Sequence, residues 1–300
     1  MRFEGVIPML QTPFHEDGSL DFSSLRRQVE FVRAAGVPMA CYPGFASEWW
    51  KLSEIEILQA AQTIVDSAAG RLSLIGNVTA QSTHLAIEQA RAFQGMGCVG
   101  LMCLPPFVVP QSPRAITAHL RAVMSAVPLP HIVQYSASLT GIRLETSQLN
   151  ALRAEYPHFC SIKVDFIPPG PIVSELRSAM GDDQFTYLIG FAGLQLADCL
   201  KRGAHGLMGG TGHLLEDLAV FNALRKDPEG KGMALFHELL PLLNAEMQTI
   251  DHSIATHKWL LKHLGVFETD HVRQPGPHLD GAAAAELDAH FRRIQAKVSS

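Results

Sequence analysis

The sequence predicts an α/β fold: a closed (β/α)8 barrel over residues 1–225 with a C-terminal helical extension over 226–300. Three observations predict it. Short apolar runs alternate with helical patterns eight times, before the pattern turns to helix alone near Lys231. A strict strand-then-helix order implies parallel strands with crossover helices, because a tight hairpin cannot close a parallel pair. No G-x-G-x-x-G follows the first run and no G-x-x-x-x-G-K-[ST] occurs anywhere. That counts against the nucleotide-binding form of the rival, an open doubly wound sheet.

The elements follow in order. The run Val6–Leu10 leads into the turn His15–Gly18. Phe22, Leu25, Val29 and Val32 then fall at helical spacing behind Asp21, which is placed to cap them, and Gly36 ends that helix. Val37–Tyr42 is the second strand. Ser53-Glu54-Ile55-Glu56 reads as a capping box for a helix that stops at Ala69-Gly70, before the run Leu72–Gly76. A helix from Ser82 to Gly95 precedes Val99–Cys103, and one opening at Ser112-Pro113 precedes His131–Tyr135. Phe159–Val164, Phe185–Ile189 and His205–Met208 complete the eight. Helical stretches at 232–247, 252–264 and 283–297 form the extension, broken at Arg273–Pro277.

Composition narrows the function. A hydrophobic content of 47% over 300 residues supports a large core. With 24 Lys+Arg against 29 Asp+Glu the formal charge is −5, which argues against a nucleic acid or an anionic membrane as partner. No apolar run approaches the roughly 18 residues that cross a bilayer. The start MRFEGVIPML lacks a signal-peptide layout, so a cytoplasmic protein is expected. Cys41, Cys98, Cys103, Cys160 and Cys199 are scattered and contain no C-x-x-C, so neither a disulfide framework nor a zinc knuckle is expected.

In a barrel the chemistry sits at the C-terminal ends of the strands, so position counts for more than residue type. Lys163 lies within the apolar run Cys160–Val164. Facing inward it would be desolvated, and burial favours the uncharged amine, which attacks a ketone to form a Schiff base. The alternative is an edge lysine whose ammonium reaches solvent. Tyr135 ends its strand, where a phenol relays protons, or else packs in the core with its hydroxyl satisfied. The segment Gly44–Glu48 offers N–H groups and the Ser47 hydroxyl to a carboxylate, or is a plain loop. Fourteen histidines contain no H-E-x-x-H and no Cys/His ligand set. Pairs such as His252/His257 and His271/His278 are expected to be surface or capping residues, and no metal is expected. Trp49-Trp50 either lines a pocket or packs at an interface.

Taken in order, these segments resemble the dihydrodipicolinate synthase / N-acetylneuraminate lyase family of class I aldolases and dehydratases, over nearly the whole chain. The resemblance rests on Thr12-Pro13-Phe14 after the first strand and on Gly44–Glu48 in place of G-[ST]-T-G-E. Tyr135 after the fifth strand, Ile162-Lys163 on the sixth, Gly190 after the seventh and Gly206–Gly210 around the eighth extend it. It implies that Lys163 condenses with a small 2-oxo acid such as pyruvate and that Tyr135 is the general acid/base. It also implies substrate binding by Ala46, Ser47, Glu48, Gly190, Met208 and Gly209. The iminium would drain electrons from C3, so that aldol cleavage or loss of a C4 hydroxyl follows. No metal or organic cofactor is implied. The implied partners are the 2-oxo acid and further copies of the chain, as a dimer or tetramer.

Departures from the family pattern bear on the substrate. Phe45 and Ala46 stand where hydroxyl residues usually precede G-E, so Ser47 is expected to take over carboxylate binding. After Tyr135 the stretch Ser136–Gly141 is one residue short of the synthase pattern, with Leu139 in the place of an arginine that suits a second carboxylate. Arg143 lies close by in sequence, and the sequence leaves open whether it replaces that arginine. Pro106-Phe107-Val108 lacks the tyrosine that extends the synthase relay. These losses favour a 2-keto-3-deoxy sugar acid or related catabolite over lysine biosynthesis. The remaining alternatives are synthase-like pyruvate condensation and a non-catalytic ligand sensor.

Overall fold

Eight apolar runs become eight parallel strands in the computed structural model, which describes residues 2–181 and 183–299. They are β1 (Gly5–Val6), β2 (Met39–Tyr42), β3 (Ser73–Val78), β4 (Gly100–Cys103), β5 (His131–Tyr135), β6 (Phe159–Val164), β7 (Thr186–Ile189) and β8 (Gly206–Leu207). The hydrogen-bonded order is β1-β8-β7-β6-β5-β4-β3-β2. The two end strands meet at a parallel bridge between Met9 and Cys41, where Leu10 N–H donates to Cys41 O and Cys41 N–H donates to Pro8 O. Pairing toward β2 is held to this bridge because Pro8, whose nitrogen lies on that side, has no N–H to donate. Bonding toward β8 still continues through Ile7 and Met9 N–H.

Side-chain parity divides the core in two. One set, which includes Ile7, Met9, Cys41, Ile75, Met102, Ile132, Leu188 and Met208, fills the inside of the curled sheet. The other, with Val133, Tyr135, Ile162, Val164 and Ile189, packs outward against the helices. Because strands buried on both faces are apolar throughout, only register tells which residue faces which way.

The helices stop and start where capping chemistry puts them. Asp21 accepts from Ser24 N–H ahead of the helix Phe22–Ala34. Ser53 and Glu56 exchange the two bonds of a capping box ahead of Glu54–Ala68. Ser112 caps Pro113–Ala126. Three 3₁₀ segments, Phe45–Ser47, Trp49–Lys51 and Phe191–Gly193, and the short helix Ala137–Thr140 are additions to the expected pattern. All lie in loops after strands. The C-terminal helices Lys231–Glu246, Ile250–His263 and Gly281–Val298 match the expected stretches closely. The second of them rests on the Phe45–Ser47 turn, so the extension walls the strand-end face. Among the described residues no helix is long and apolar enough to cross a membrane.

Candidate active site

Lys163 is a buried cation at the strand-end face. Its register partners are Gln134 on β5 and Leu188 on β7, both inward-facing. The side chain is 9% exposed, and Nζ donates to Asp165 Oδ2 at 2.9 Å. That oxygen also accepts from Gln134 Nε2 at 2.9 Å and from Ser136 Oγ at 2.7 Å. Gly190 makes the arrangement possible: a Cβ there would stand 1.5 Å from Asp165 Oδ1 and 3.3 Å from Lys163 Cε. Gly190 therefore leaves the room that the Lys163–Asp165 pair occupies.

The expected role of Tyr135 does not survive the register. Tyr135 pairs with Val164, one residue beyond the Gln134–Lys163 pair, and so points to the helical layer. Its hydroxyl donates to Leu144 O at 2.8 Å and accepts from Leu144 N–H at 3.1 Å, while its ring stands edge-on to Phe166. Burial pushes the phenol's pKa upward. Successive strand residues face opposite sides, so the inward position belongs to Gln134. Counted from Gln134, the stretch to Thr140-Gly141 also regains the residue that it lacks when counted from Tyr135.

Ser47 and Glu48 are likewise committed elsewhere. Ser47 is fully buried; its hydroxyl accepts from Gly44 N–H at 2.9 Å and donates to Leu10 O, which ties the turn to β1. Glu48, in a left-handed conformation, is buried between Lys51 and Lys258. Burial lowers the Lys258 ammonium to about 8, against the opposing pull of Glu48. Both expected substrate contacts are thus structural braces, whose polar atoms are consumed before a ligand arrives. Ala46 does face the cavity.

That cavity, of about 60 Å³, is bounded by Lys163 and Asp165, by Ala46 and Phe45, and by Met9, Met208 and Gly209. Glu246, Ser253 and His257 of the C-terminal extension close the other side. Glu246 is completely buried and accepts from His213 Nε2 (2.7 Å), His257 Nε2 (2.9 Å) and Ser253 Oγ (2.7 Å). Burial raises its pKa, but His257 and His213 outweigh burial and hold the carboxyl far below its usual range. His213 has the complementary environment: Asp217 and Glu246 overcome burial and raise its imidazole well above 6.5. Gly210 leaves the space, since a Cβ there would meet His257 Nε2 at 2.0 Å.

The donor atoms of His213, Glu246 and His257 lie within 4.8 Å of one another, close enough to hold a metal ion. Their chemistry does not fit one. Gly212 N–H donates to His257 Nδ1 at 3.1 Å, so the neutral ring carries its hydrogen on Nε2, the atom facing Glu246. A nitrogen bearing hydrogen has no lone pair for a metal. The cluster is a hydrogen-bonded ion network. Surface or capping positions were expected for the histidines; these two are buried, and they converge from positions far apart in the chain.

Beyond the cavity lies an apolar pocket of about 400 Å³, bounded by Trp49, Trp50, Phe107 and Val108 and sharing Phe45, Leu139 and Ile250 with the first. Arg143 is not on the cavity; its guanidinium lies 6.0 Å from the Phe166 ring. It does not replace the missing arginine.

A family model described as the dihydrodipicolinate synthetase family matches residues 2–294. The chain belongs to the dihydrodipicolinate synthetase family. L-2-keto-3-deoxyarabonate dehydratase of Azospirillum brasilense is 28% identical over 298 residues, covering 98% of this chain and 95% of that protein. Two solved structures share the fold. The sialic acid aldolase of Ruminococcus gnavus superposes with a TM-score of 0.89 at 19% identity, covering 100% and 99% of the two chains. YagE of Escherichia coli K12, a prophage protein solved with pyruvate, superposes at 0.88 with 20% identity, covering 98% and 99%.

Within the family frame, the fold brings together Lys163, Ala46, Met208 and Gly209 on one cavity, with Gly190 behind Asp165. Asp165, Gln134, Glu246, Ser253 and His257 escaped the sequence reading. For Gln134 one signal was present: an amide in a strand whose outward face must pack on helices belongs on the inner face. Asp165 carried the same parity as Lys163, two residues earlier.

Proposed function

We propose that this protein is a Schiff-base-forming lyase acting on a small 2-oxo acid, with Lys163 as the amine and no metal or organic cofactor. The observation that carries this reading is a buried lysine, 2.9 Å from a carboxylate, opening on a cavity at the C-terminal ends of the strands. We read the sheet, bridged between Met9 and Cys41, as a closed (β/α)8 barrel, whose chemistry belongs at that end. An iminium on Lys163 acidifies C3, so a C3 proton or the C3–C4 bond can be lost to an enamine. With the Ser47 hydroxyl engaged, the substrate carboxylate falls to backbone N–H groups of the Phe45–Ala46 turn.

The substrate reading is a 2-keto-3-deoxy sugar acid or a related catabolite. Leu139 offers no charge to a second carboxylate, which counts against synthase-like condensation. Ser253, whose hydroxyl spends its hydrogen on Glu246 and keeps its acceptor lone pairs, lines the cavity as an acceptor suited to a hydroxyl of a sugar-acid chain. The Azospirillum dehydratase, named for such a substrate, supports the same class. Exposed Trp50 and Val108 on the outer pocket, with exposed Val109 next in the chain, favour a homo-oligomer.

A panel of 2-keto-3-deoxy acids followed by mass spectrometry tests the proposal. Loss of one water marks elimination, and release of pyruvate with an aldehyde marks cleavage. No turnover and no covalent adduct with any 2-oxo acid would refute it in favour of a ligand-sensing role.

A further inference from the structure

Resting on the Schiff-base reading, we propose that Asp165 is the proton-transfer residue of the condensation, in the place that the resemblance assigns to the strand-five tyrosine. Four observations meet there. Tyr135 is turned outward and its hydroxyl is held on both sides by Leu144. Gln134, in register with Lys163, is an amide and carries no titratable proton. Asp165 Oδ2 lies 2.9 Å from the reacting nitrogen, within the reach that proton transfer requires. Finally, Gln134 Nε2 and Ser136 Oγ fix the carboxylate's orientation, while Gly190 leaves the space that its second oxygen occupies. A residue kept merely to neutralise a lysine needs none of that support.

The step balances on this one carboxylate. Asp165 takes a proton from the Lys163 ammonium, and the freed amine attacks C2 of the 2-oxo acid; the N–C2 bond forms as the C2–O π bond breaks. The alkoxide takes the proton back from Asp165. The carbinolamine nitrogen then gives its second proton to Asp165, which passes it to the C2 hydroxyl as that group leaves as water. The product is the iminium, with Asp165 again a carboxylate. The overall change is ammonium plus ketone to iminium plus water. Hydrolysis of the product runs the same transfers backward.

The test is the rate of pyruvate trapping by borohydride at Lys163, read by intact and peptide mass as a function of pH. It compares the wild-type protein with Asp165→Asn, Asp165→Ala, Asp165→Glu and Tyr135→Phe. General acid/base assistance is worth about 10²- to 10⁴-fold, so Asp165→Asn should slow trapping by that order and flatten the acid limb of its pH profile. Asp165→Glu should recover part of both, and formate should partly rescue Asp165→Ala. Tyr135→Phe should trap at the wild-type rate. Near-ultraviolet circular dichroism reports whether each variant is folded; if Asp165→Asn is not, the glutamate and formate arms decide. Wild-type rate and pH profile in Asp165→Asn, or loss of trapping in Tyr135→Phe alone, would overturn the assignment while leaving the Schiff base intact. A wild-type protein that traps no 2-oxo acid would instead overturn the Schiff-base reading, and this inference with it.

Discussion

Replacing Gly190 by alanine presses directly on the lysine–aspartate pair. The added carbon would stand 1.5 Å from Asp165 Oδ1, where ordinary contact begins at 3.4 Å, so the carboxylate must retreat by roughly 2 Å. Asp165 is anchored by donors at 2.9, 2.9 and 2.7 Å from Lys163, Gln134 and Ser136. A retreat of that size breaks at least one of them. Overpacking costs about 1–3 kcal/mol and a lost bond to a charged group about 1.5–3 kcal/mol, so the total is about 2.5–6 kcal/mol. For a chain of 300 residues this lowers Tm by about 4–10 °C. Thermal unfolding by circular dichroism, run beside borohydride trapping, reads both consequences: a lower Tm and slower adduct formation. Gly209→Ala is the control, since its Cβ comes no nearer than 3.2 Å to Asp217 Oδ2 and should shift Tm less. A Gly190→Ala protein with wild-type Tm and trapping rate would refute the placement of Asp165 against Lys163.

Other consequences can be measured independently. Glu246→Gln removes the charge between two buried histidines and should cost about 3–5 kcal/mol in chemical denaturation at neutral pH. Because the folded Glu246 carboxyl sits below its ordinary 4.5, the stability it contributes is present above that pH and is lost as pH falls below it; the variant should flatten this acid limb. Lys258→Met leaves Glu48 with Lys51 alone and should cost a similar amount, together with order in the Gly44–Glu48 turn, read by hydrogen exchange of its amides. Leu139→Arg places a guanidinium where the two pockets meet. It should lower KM for substrates carrying a second carboxylate by about tenfold or more, as a charge-assisted pair worth about 1.5–3 kcal/mol allows; an unchanged KM would place Leu139 off the substrate path.

Much of the fold was legible because strand and helix boundaries are local chemistry. Asp21, Ser53, Ser82 and Ser112 cap helices as their positions imply. Lys163 was legible too, as one charge in an apolar strand. The error at Tyr135 came from the same property that made the strands visible. In His131-Ile132-Val133-Gln134-Tyr135 both faces are buried, so the run carries no alternation to say which residue points inward, and a slip of one residue inverts every side chain. The loop Gly44–Glu48 was found, but a hydroxyl in a tight turn serves the backbone as readily as a ligand, and Ser47 does the former. The Glu246 network was invisible for another reason. His213, Glu246 and His257 come from three different segments, and only the folding of the C-terminal helices over the strand ends brings them together.

The most direct measurement is reductive trapping of the purified protein with pyruvate and with a 2-keto-3-deoxy acid, followed by peptide mapping. A single covalent adduct on Lys163, abolished in Lys163→Ala with the fold unchanged, is the predicted result. Adduct on another lysine, or none with either 2-oxo acid on a folded protein, would contradict it.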